Sequence, residues 1–229
     1  MRLLLFDVDG TLITAGGAGR EALGQALRAV YGTAGPIDAY DFRGKTDPQI
    51  VHDLMGAAGI AEPILRARLP QAFGAYVTAL EALVQNGARV RLLPGVADVV
   101  RELGRQPEIL VGLLTGNIER GAQVKLRPTG LLPFFRLGAY GSDDADRRRL
   151  PAVACARAVA LTGRTITFDR VTIIGDTPLD VDCARACGGR AVAVATGQHP
   201  AEELAGCGPD LLLADLADVP RVVRALTGA

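Results

Sequence analysis

The sequence predicts an α/β fold: a doubly wound, Rossmann-like parallel sheet with an all-helical segment inserted after the first strand. Three short apolar runs, at 3–6, 109–114 and 171–174, are typical of strands buried on both faces of a parallel sheet. Helical patterns separate the later runs, and this alternation gives parallel strands joined by right-handed crossovers. Between residues 16 and 92, apolar residues recur instead at three- and four-residue steps, which predicts helices.

The individual elements follow from local patterns in chain order. In the inserted segment, helical spacing predicts helices over 20–30, 48–55 and 63–84. Beyond Gly95, amphipathic stretches alternate with short apolar runs, which predicts helices over 96–103, 117–126, 150–160, 179–187 and 219–226, and strands over 109–114, 137–140, 171–174, 191–195 and 210–213. We therefore predict two domains: a core of residues 1–15 and 93–229, and a helical domain of residues 16–92.

Composition narrows the class of protein. The 229 residues are 49% apolar, enough for a substantial core, and the formal net charge of zero argues against a nucleic-acid partner. No apolar run approaches the roughly 18 residues of a membrane-spanning helix, and the chain starts on a predicted strand rather than a signal peptide. The four cysteines form no CxxC pair. We expect a cytoplasmic monomer or homodimer with reduced thiols and no membrane partner.

Two acids stand at the end of the first predicted strand. Asp7 and Asp9 are two residues apart, and on an extended segment this spacing puts both side chains on one face. Two carboxylates held together repel each other, and Mg²⁺, which binds through one or two carboxylates plus a substrate phosphate, would stabilise them. The alternative is structural, because an Asp-Gly-Thr turn also caps helices.

Two other predicted strands end in polar residues as well. The run at 109–114 leads to Thr115, and the run at 171–174 leads to Asp176 and Asp180. Since ligands collect at the carboxyl ends of strands in open α/β sheets, these groups are expected at one polar site. Here the sequence resembles the haloacid dehalogenase-like hydrolase superfamily. DVDGT at 7–11 matches its first motif, Thr115 its second, and GDTPLD at 175–180 its fourth.

The resemblance implies a mechanism as well as a fold. The helical segment would be a cap domain that closes over the active site and excludes water. Asp7 would attack phosphorus to give an aspartyl-phosphate. Asp9 would protonate the leaving alkoxide and then activate the water that hydrolyses the intermediate.

The same resemblance assigns a metal and a phosphate site. Mg²⁺ would bind the carboxylates of Asp7 and Asp176 and the backbone carbonyl of Asp9. Asp180 would be a further ligand or would support the ligands from behind. Thr115 would donate a hydrogen bond to a phosphate oxygen. The amides of Gly116 and Asn117, at the start of a predicted helix, would assist it.

The third motif of the family is altered in this sequence. Its cation, often in a Lys-Pro pair, holds the nucleophile and the phosphate together, and no Lys-Pro occurs here. Arg147 opens an arginine run at the expected place, and we predict that it takes this role, while Arg148 and Arg149 are a solvated charge run. Lys125 is the rival, but ten residues beyond Thr115 it is expected to lie about 15 Å away along a helix.

A polar break at 41–47 separates two helices of the inserted segment and is expected to face the active site. Arg43 and Lys45 would bind an anionic substrate, and Thr46 would cap the following helix. The alternative is a solvated loop in which Thr46 or Asp47 caps the helix and the two cations bind nothing.

The second acid decides between reaction classes within the resemblance. Dehalogenases of the superfamily use the first Asp but lack an acid two residues on, so Asp9 favours phosphoryl chemistry. A phosphatase of small phosphorylated metabolites, similar to phosphoglycolate phosphatases, is the leading hypothesis. A phosphosugar mutase similar to β-phosphoglucomutase needs the same motifs. A phosphate-responsive binding protein of the receiver type is a third alternative, although receivers are shorter and lack the helical insertion.

Overall fold

The computed structural model describes residues 1–85 and 89–228. Its strands are β1 (Arg2–Phe6), β2 (Ile13–Thr14), β3 (Arg91–Leu92), β4 (Ile109–Thr115), β5 (Leu137–Tyr140), β6 (Val171–Gly175), β7 (Arg190–Val194) and β8 (Leu211–Leu213). Six of them form one parallel sheet in the order β5-β4-β1-β6-β7-β8. The three strands with polar ends, β4, β1 and β6, are therefore direct neighbours.

The helices lie between the strands in the chain, as the alternating pattern predicts. They are α1 (Ala18–Tyr31), α2 (Asp47–Ala57), α3 (Glu62–Val84), α4 (Val96–Gly104), α5 (Glu119–Leu126), α6 (Leu150–Thr162), α7 (Pro178–Cys187), α8 (Ala201–Gly206) and α9 (Val219–Thr227). The predicted α/β class with a parallel sheet is confirmed. Among the described residues, no helix combines the length and the hydropathy that crossing a bilayer requires.

Strand β1 is buried on both faces of the sheet. Leu4 and Phe6 pack into the apolar cluster on one face, and Leu3 and Leu5 into the cluster on the other. All four side chains are fully buried, and each contributes about 1.5–3 kcal/mol relative to an exposed position. This burial fixes the strand on which Asp7 stands.

The helical segment, α1 to α3, leaves the core through a short ribbon. Strands β2 and β3 pair antiparallel through Ile13 with Leu92 and Thr14 with Arg91. The sequence predicted no strand between residues 16 and 92, and β3 corrects this, because a two-residue strand has no periodicity to detect. The short helix α8 was missed for the same reason.

The division of the chain into a core (1–15 and 93–229) and a helical domain (16–92) stays a prediction. Residues 86–88 and 229, which these ranges include, lie outside the described residues.

Candidate active site

The carboxyl ends of β4, β1 and β6 meet at a cavity of about 350 Å³. The start of α1 and the loop at 41–47 close its other side. Nine of the ten residues that the sequence singled out for the site line this cavity: Asp7, Asp9, Arg43, Lys45, Thr115, Gly116, Asn117, Arg147 and Asp176. Asp180 lies behind the wall, in contact with Arg147.

Three buried carboxylates form a cluster at the floor of the cavity. Ligand atoms of Asp7, Asp176 and Asp180 lie within 4.8 Å of one another. Burial raises the pKa of Asp7 to about 6, although Arg147 opposes the shift. Burial, together with the charges of Asp7 and Asp180, raises the pKa of Asp176 well above its ordinary value. Three acids thus face a single guanidinium, and the cluster attracts a further cation.

The donor set and its surroundings fit Mg²⁺. The cluster offers only carboxylate oxygens, the ligands that a hard cation prefers. The backbone packs closely on Asp176: a Cβ on Gly10 or on Gly197 would overlap its carboxylate. Gly10 has a φ of 85°, a conformation that glycine adopts without strain. The Thr11 hydroxyl donates to Asp176 Oδ1 at 3.0 Å and orients the group.

The Asp180 carboxylate forms hydrogen bonds with two neighbouring residues, Thr177 and Arg147. Its Oδ2 accepts hydrogen bonds from the Thr177 amide at 3.0 Å and the Thr177 hydroxyl at 2.7 Å, a capping box at the start of α7. Its Oδ1 accepts a hydrogen bond from Arg147. Of the two roles predicted for Asp180, these contacts favour the supporting one.

Arg147 reaches the carboxylate that ends β1. It lies in a single 3-10 turn at 147–149, and its Nη2 donates to Asp7 Oδ1 at 3.1 Å and to Asp180. Its Nη1 donates to the carbonyl of Gly44, in the loop at 41–47, at 3.1 Å. Its side chain is 8% exposed, whereas those of Arg148 and Arg149 are 61% and 71% exposed. The predicted solvated charge run is thus limited to these last two arginines.

Lys125 also reaches the cavity, and the expected 15 Å separation from the site is wrong. Its Nζ donates to Asp9 Oδ2 and to Asn117 Oδ1, both at 2.6 Å. The predicted helix over 117–126 begins only at Glu119, so the axial rise to Lys125 is about 9 Å. Side chains on a helix also point back toward its N-terminus. The structure therefore places both rival cations at the cavity, on different acids.

Asp9 is separated from the carboxylate cluster. Its side chain is 41% exposed and is held by Lys125 and by the Asn117 amide, whose Nδ2 donates to Asp9 Oδ2 at 2.8 Å. Asn117 Nδ2 and the backbone N–H of Asn117 also donate to Thr115 Oγ1, at 2.8 and 3.3 Å. The backbone amide predicted to bind phosphate is thus engaged with Thr115.

The loop at 41–47 faces the cavity, as predicted, but its cations already have partners. Arg43 forms a two-point ion pair with Asp41, at 2.8 and 2.9 Å. Lys45 Nζ donates to the Tyr40 hydroxyl at 2.9 Å. Thr46 caps α2, since its Oγ1 accepts a hydrogen bond from the backbone N–H of Gln49.

Sequence reasoning missed two buried residues that line the cavity. The sequence indicates Asp47 only as a helix cap, yet its carboxylate accepts a hydrogen bond from the Ile118 amide at 2.8 Å and joins α2 to the core. Burial raises its pKa to about 6. The helical spacing indicates Tyr76 only as an apolar position, although its hydroxyl is a hydrogen-bonding group. It is 1% exposed and lines the cavity.

Comparison with known proteins gives one consistent family. The family model described as haloacid dehalogenase-like hydrolase matches residues 1–188. A phosphoglycolate phosphatase from Synechococcus elongatus is 30% identical over 99% of both chains. Among solved structures, a hydrolase from Pseudomonas syringae superimposes with a TM-score of 0.73 at 19% identity, over 98% of this chain and 99% of the other. CbbY from Rhodobacter sphaeroides, in complex with phosphate, gives 0.70 at 20% identity over 96% of each chain.

Proposed function

The chain belongs to the haloacid dehalogenase-like hydrolases, in the branch of phosphoglycolate phosphatases and β-phosphoglucomutases, and we propose that it is a Mg²⁺-dependent phosphatase of a small phosphorylated metabolite. The substrate is phosphoglycolate or a sugar phosphate of similar size, and hydrolysis proceeds through an aspartyl-phosphate on Asp7. One observation carries the proposal: Asp7 ends the central strand, faces the cavity and is ion-paired with a buried arginine.

Asp7 and Arg147 prepare the attack on phosphorus. The rigid strand β1 fixes the carboxylate, and Arg147, 3.1 Å from its Oδ1, holds one oxygen and leaves the other for the substrate. The guanidinium also supplies positive charge where the transferring phosphoryl group needs it. Asp7 and Asp176, with the backbone carbonyl of Asp9, would hold Mg²⁺, which would neutralise charge on the phosphate. Thr115, at the end of β4, donates its hydroxyl proton to a phosphate oxygen.

Asp9 carries the proton. It protonates the leaving alkoxide and then removes a proton from the water that attacks the aspartyl-phosphate. Lys125 and Asn117 hold its carboxylate at hydrogen-bond distance, so Asp9 stays on the side of the cavity where the leaving oxygen departs. We therefore assign Arg147 to the nucleophile and Lys125 to the acid–base residue.

We further propose that residues 16–92 form a cap over this chemistry. The contact between Arg147 and the Gly44 carbonyl joins the loop at 41–47 to the core beside Asp7. When an anionic substrate binds, Arg43 releases Asp41, Lys45 releases Tyr40, and both cations contact the substrate instead.

Activity is expected to require a divalent cation. Because the cluster of Asp7, Asp176 and Asp180 holds more negative charge than Arg147 balances, Mg²⁺ is expected to raise the midpoint of thermal unfolding as well as turnover. Both effects are measured after dialysis against chelator and again after Mg²⁺ is restored. Full hydrolysis in excess chelator would rule out the metal requirement.

A mutase with the same motifs makes a different product. A hydrolase is expected to release one inorganic phosphate for each substrate consumed, whereas a mutase isomerises a phosphosugar and needs its bisphosphate. Phosphate release and isomer formation are measured in the same reaction. Isomer formation faster than phosphate release would replace the phosphatase with the mutase.

A further inference from the structure

The N-terminus of α1 presents free backbone donors to the cavity. The helix begins after Gly17, whose φ of 78° and missing side chain leave the first turn without a side-chain cap. The Ala18 amide donates to the Ala15 carbonyl, but the amides of Gly19 and Arg20 have no acceptor among the described residues. The first N–H groups of a helix carry partial positive charge and attract anions. Gly17, Gly19 and Arg20 all line the cavity.

A second, independent donor points to the same place. Tyr76, on α3, is 1% exposed, and its hydroxyl makes no hydrogen bond to any described residue. A Cβ added at Gly19 would lie 3.8 Å from this hydroxyl, so the two groups are neighbours. Burial, together with the charges of Asp47 and Asp9, raises the pKa of Tyr76 well above its ordinary value, so the hydroxyl keeps its proton and remains a donor. A ligand oxygen in the cavity would accept its hydrogen bond.

Lys125 lies between the N-terminus of α1 and Asp9, the residue that protonates the leaving oxygen. The same Cβ at Gly19 would lie 3.2 Å from Lys125 Nζ. An ammonium has three N–H donors, and Asp9 and Asn117 take two of them. Each acid nearby accepts hydrogen bonds through its Oδ2, Asp9 from Lys125 and Asn117 and Asp47 from the Ile118 amide. The donors left over on this wall are the amides of Gly19 and Arg20, the Tyr76 hydroxyl and one N–H of Lys125.

We propose that the amides of Gly19 and Arg20, the Tyr76 hydroxyl and Lys125 form a subsite for a carboxylate on the leaving group of the substrate. The inference rests on the proposed function and makes it more specific. Lys125 contacts Asp9, which protonates the ester oxygen, so the carboxylate lies close to that oxygen, as in 2-phosphoglycolate. A neutral hydroxyl in the place of the carboxylate would accept hydrogen bonds from only some of these donors. The subsite therefore selects short phosphorylated hydroxy acids over neutral phosphate esters.

Two substrates of the same length test the subsite. 2-Phosphoglycolate carries the carboxylate, and 2-hydroxyethyl phosphate carries a neutral group in its place. Removing a hydrogen bond to a charged group is expected to lower kcat/KM for 2-phosphoglycolate roughly 10- to 100-fold in Tyr76→Phe, mainly through KM. The kcat/KM for 2-hydroxyethyl phosphate is expected to stay within about threefold of the original value. Gly19→Ala puts a methyl group into the subsite, beside Lys125 Nζ, at a helical position that alanine suits, and it is expected to lower kcat/KM more for 2-phosphoglycolate than for 2-hydroxyethyl phosphate.

Matched variants control for effects on the fold. Tyr31→Phe removes another tyrosine hydroxyl of the helical segment, one that donates to the Leu65 carbonyl away from the cavity. Gly74→Ala adds a methyl group to α3 where it meets no atom within 4 Å. Neither is expected to change the preference between the two substrates.

The outcomes separate the two proposals. Equal kcat/KM for the two substrates in the unmodified protein, or equal losses for both in Tyr76→Phe and Gly19→Ala, would overturn the subsite while the phosphatase stands. If p-nitrophenyl phosphate and both substrates release no phosphate in Mg²⁺, the proposed function itself has failed and the subsite falls with it.

Discussion

Asp7→Asn is expected to abolish turnover while the protein stays folded. The amide of asparagine cannot attack phosphorus. Among the described residues, no other carboxylate directly follows β1, so the aspartyl-phosphate cannot form. The loss of a nucleophile typically lowers kcat by about 10⁴-fold or more. Steady-state phosphate release with Mg²⁺ measures the effect, and circular dichroism verifies the fold.

The stability of the same variant has a predictable pH dependence. Burial raises the pKa of Asp7 to about 6 in the folded protein, so the folded state disfavours its charged form. This cost is small at pH 4, close to the ordinary pKa of 3.8, and it is fully present at pH 8, above the folded pKa. In chelator, Asp7→Asn is therefore expected to gain stability relative to the unmodified protein as the pH rises from 4 to 8. Denaturant unfolding at both pH values measures the difference.

The matched control is Asp182→Asn. Asp182 is an exposed acid of α7 that pairs with Arg148 outside the cavity, and its substitution is expected to leave turnover unchanged. An Asp7→Asn protein with more than a few per cent of the original turnover, free of contaminating enzyme, would remove Asp7 from the nucleophile role.

Arg147→Ala is expected to lower both turnover and stability. Removing a preorganised positive charge typically costs about 10²–10³ in kcat. Removing one partner of a buried ion pair also costs about 3–5 kcal/mol of folding free energy, because Asp7 and Asp180 lose their shared arginine. Arg147→Lys is expected to recover activity only in part, since an ammonium cannot reproduce the contacts of the planar guanidinium. Turnover per folded molecule, with the folded fraction taken from unfolding curves, separates the two effects.

Two further variants serve as comparisons for Arg147→Ala. Arg148→Ala changes an exposed arginine of the same run and is expected to be nearly silent. Lys125→Ala would leave turnover unchanged if Lys125 lay 15 Å from the site, but it is expected to slow esters with poor leaving groups most, because Lys125 holds Asp9. If Arg147→Ala kept its turnover per folded molecule and Lys125→Ala lost turnover equally on all esters, the roles of the two cations would be exchanged.

The sequence predicted the parts of the site that depend on strand ends. Asp7, Thr115 and Asp176 follow apolar runs long enough to identify, and strands in a parallel sheet share one carboxyl edge, so the convergence of these residues was predictable. Arg147 follows from the resemblance to the family, whose third-motif cation is expected before the helix that leads to β6, here α6. The convergence of the strand ends needed only element order, which hydrophobic patterning specifies well.

The sequence did not predict the parts that depend on where elements begin or how helices pack. A two-residue error in the start of α5, together with the direction of a lysine side chain, moved Lys125 from a distant position to Asp9. Tyr76 has the spacing of a core residue, and its free hydroxyl faces the cavity only because α3 packs against α1 and α5. Local periodicity carries no information about such tertiary contacts.

Trapping the covalent intermediate tests the central claim most directly. Asp9→Asn keeps the nucleophile but lacks the base that activates water, and p-nitrophenyl phosphate needs no acid because its leaving group is stable as an anion. When the Asp9→Asn protein is mixed with p-nitrophenyl phosphate and Mg²⁺, we expect a burst of one mole of p-nitrophenol per mole of enzyme. Peptide mapping after an acid quench is expected to find an acyl phosphate on Asp7. A burst with the phosphoryl group on another residue, or steady turnover that leaves no phosphate on the protein, would contradict the account.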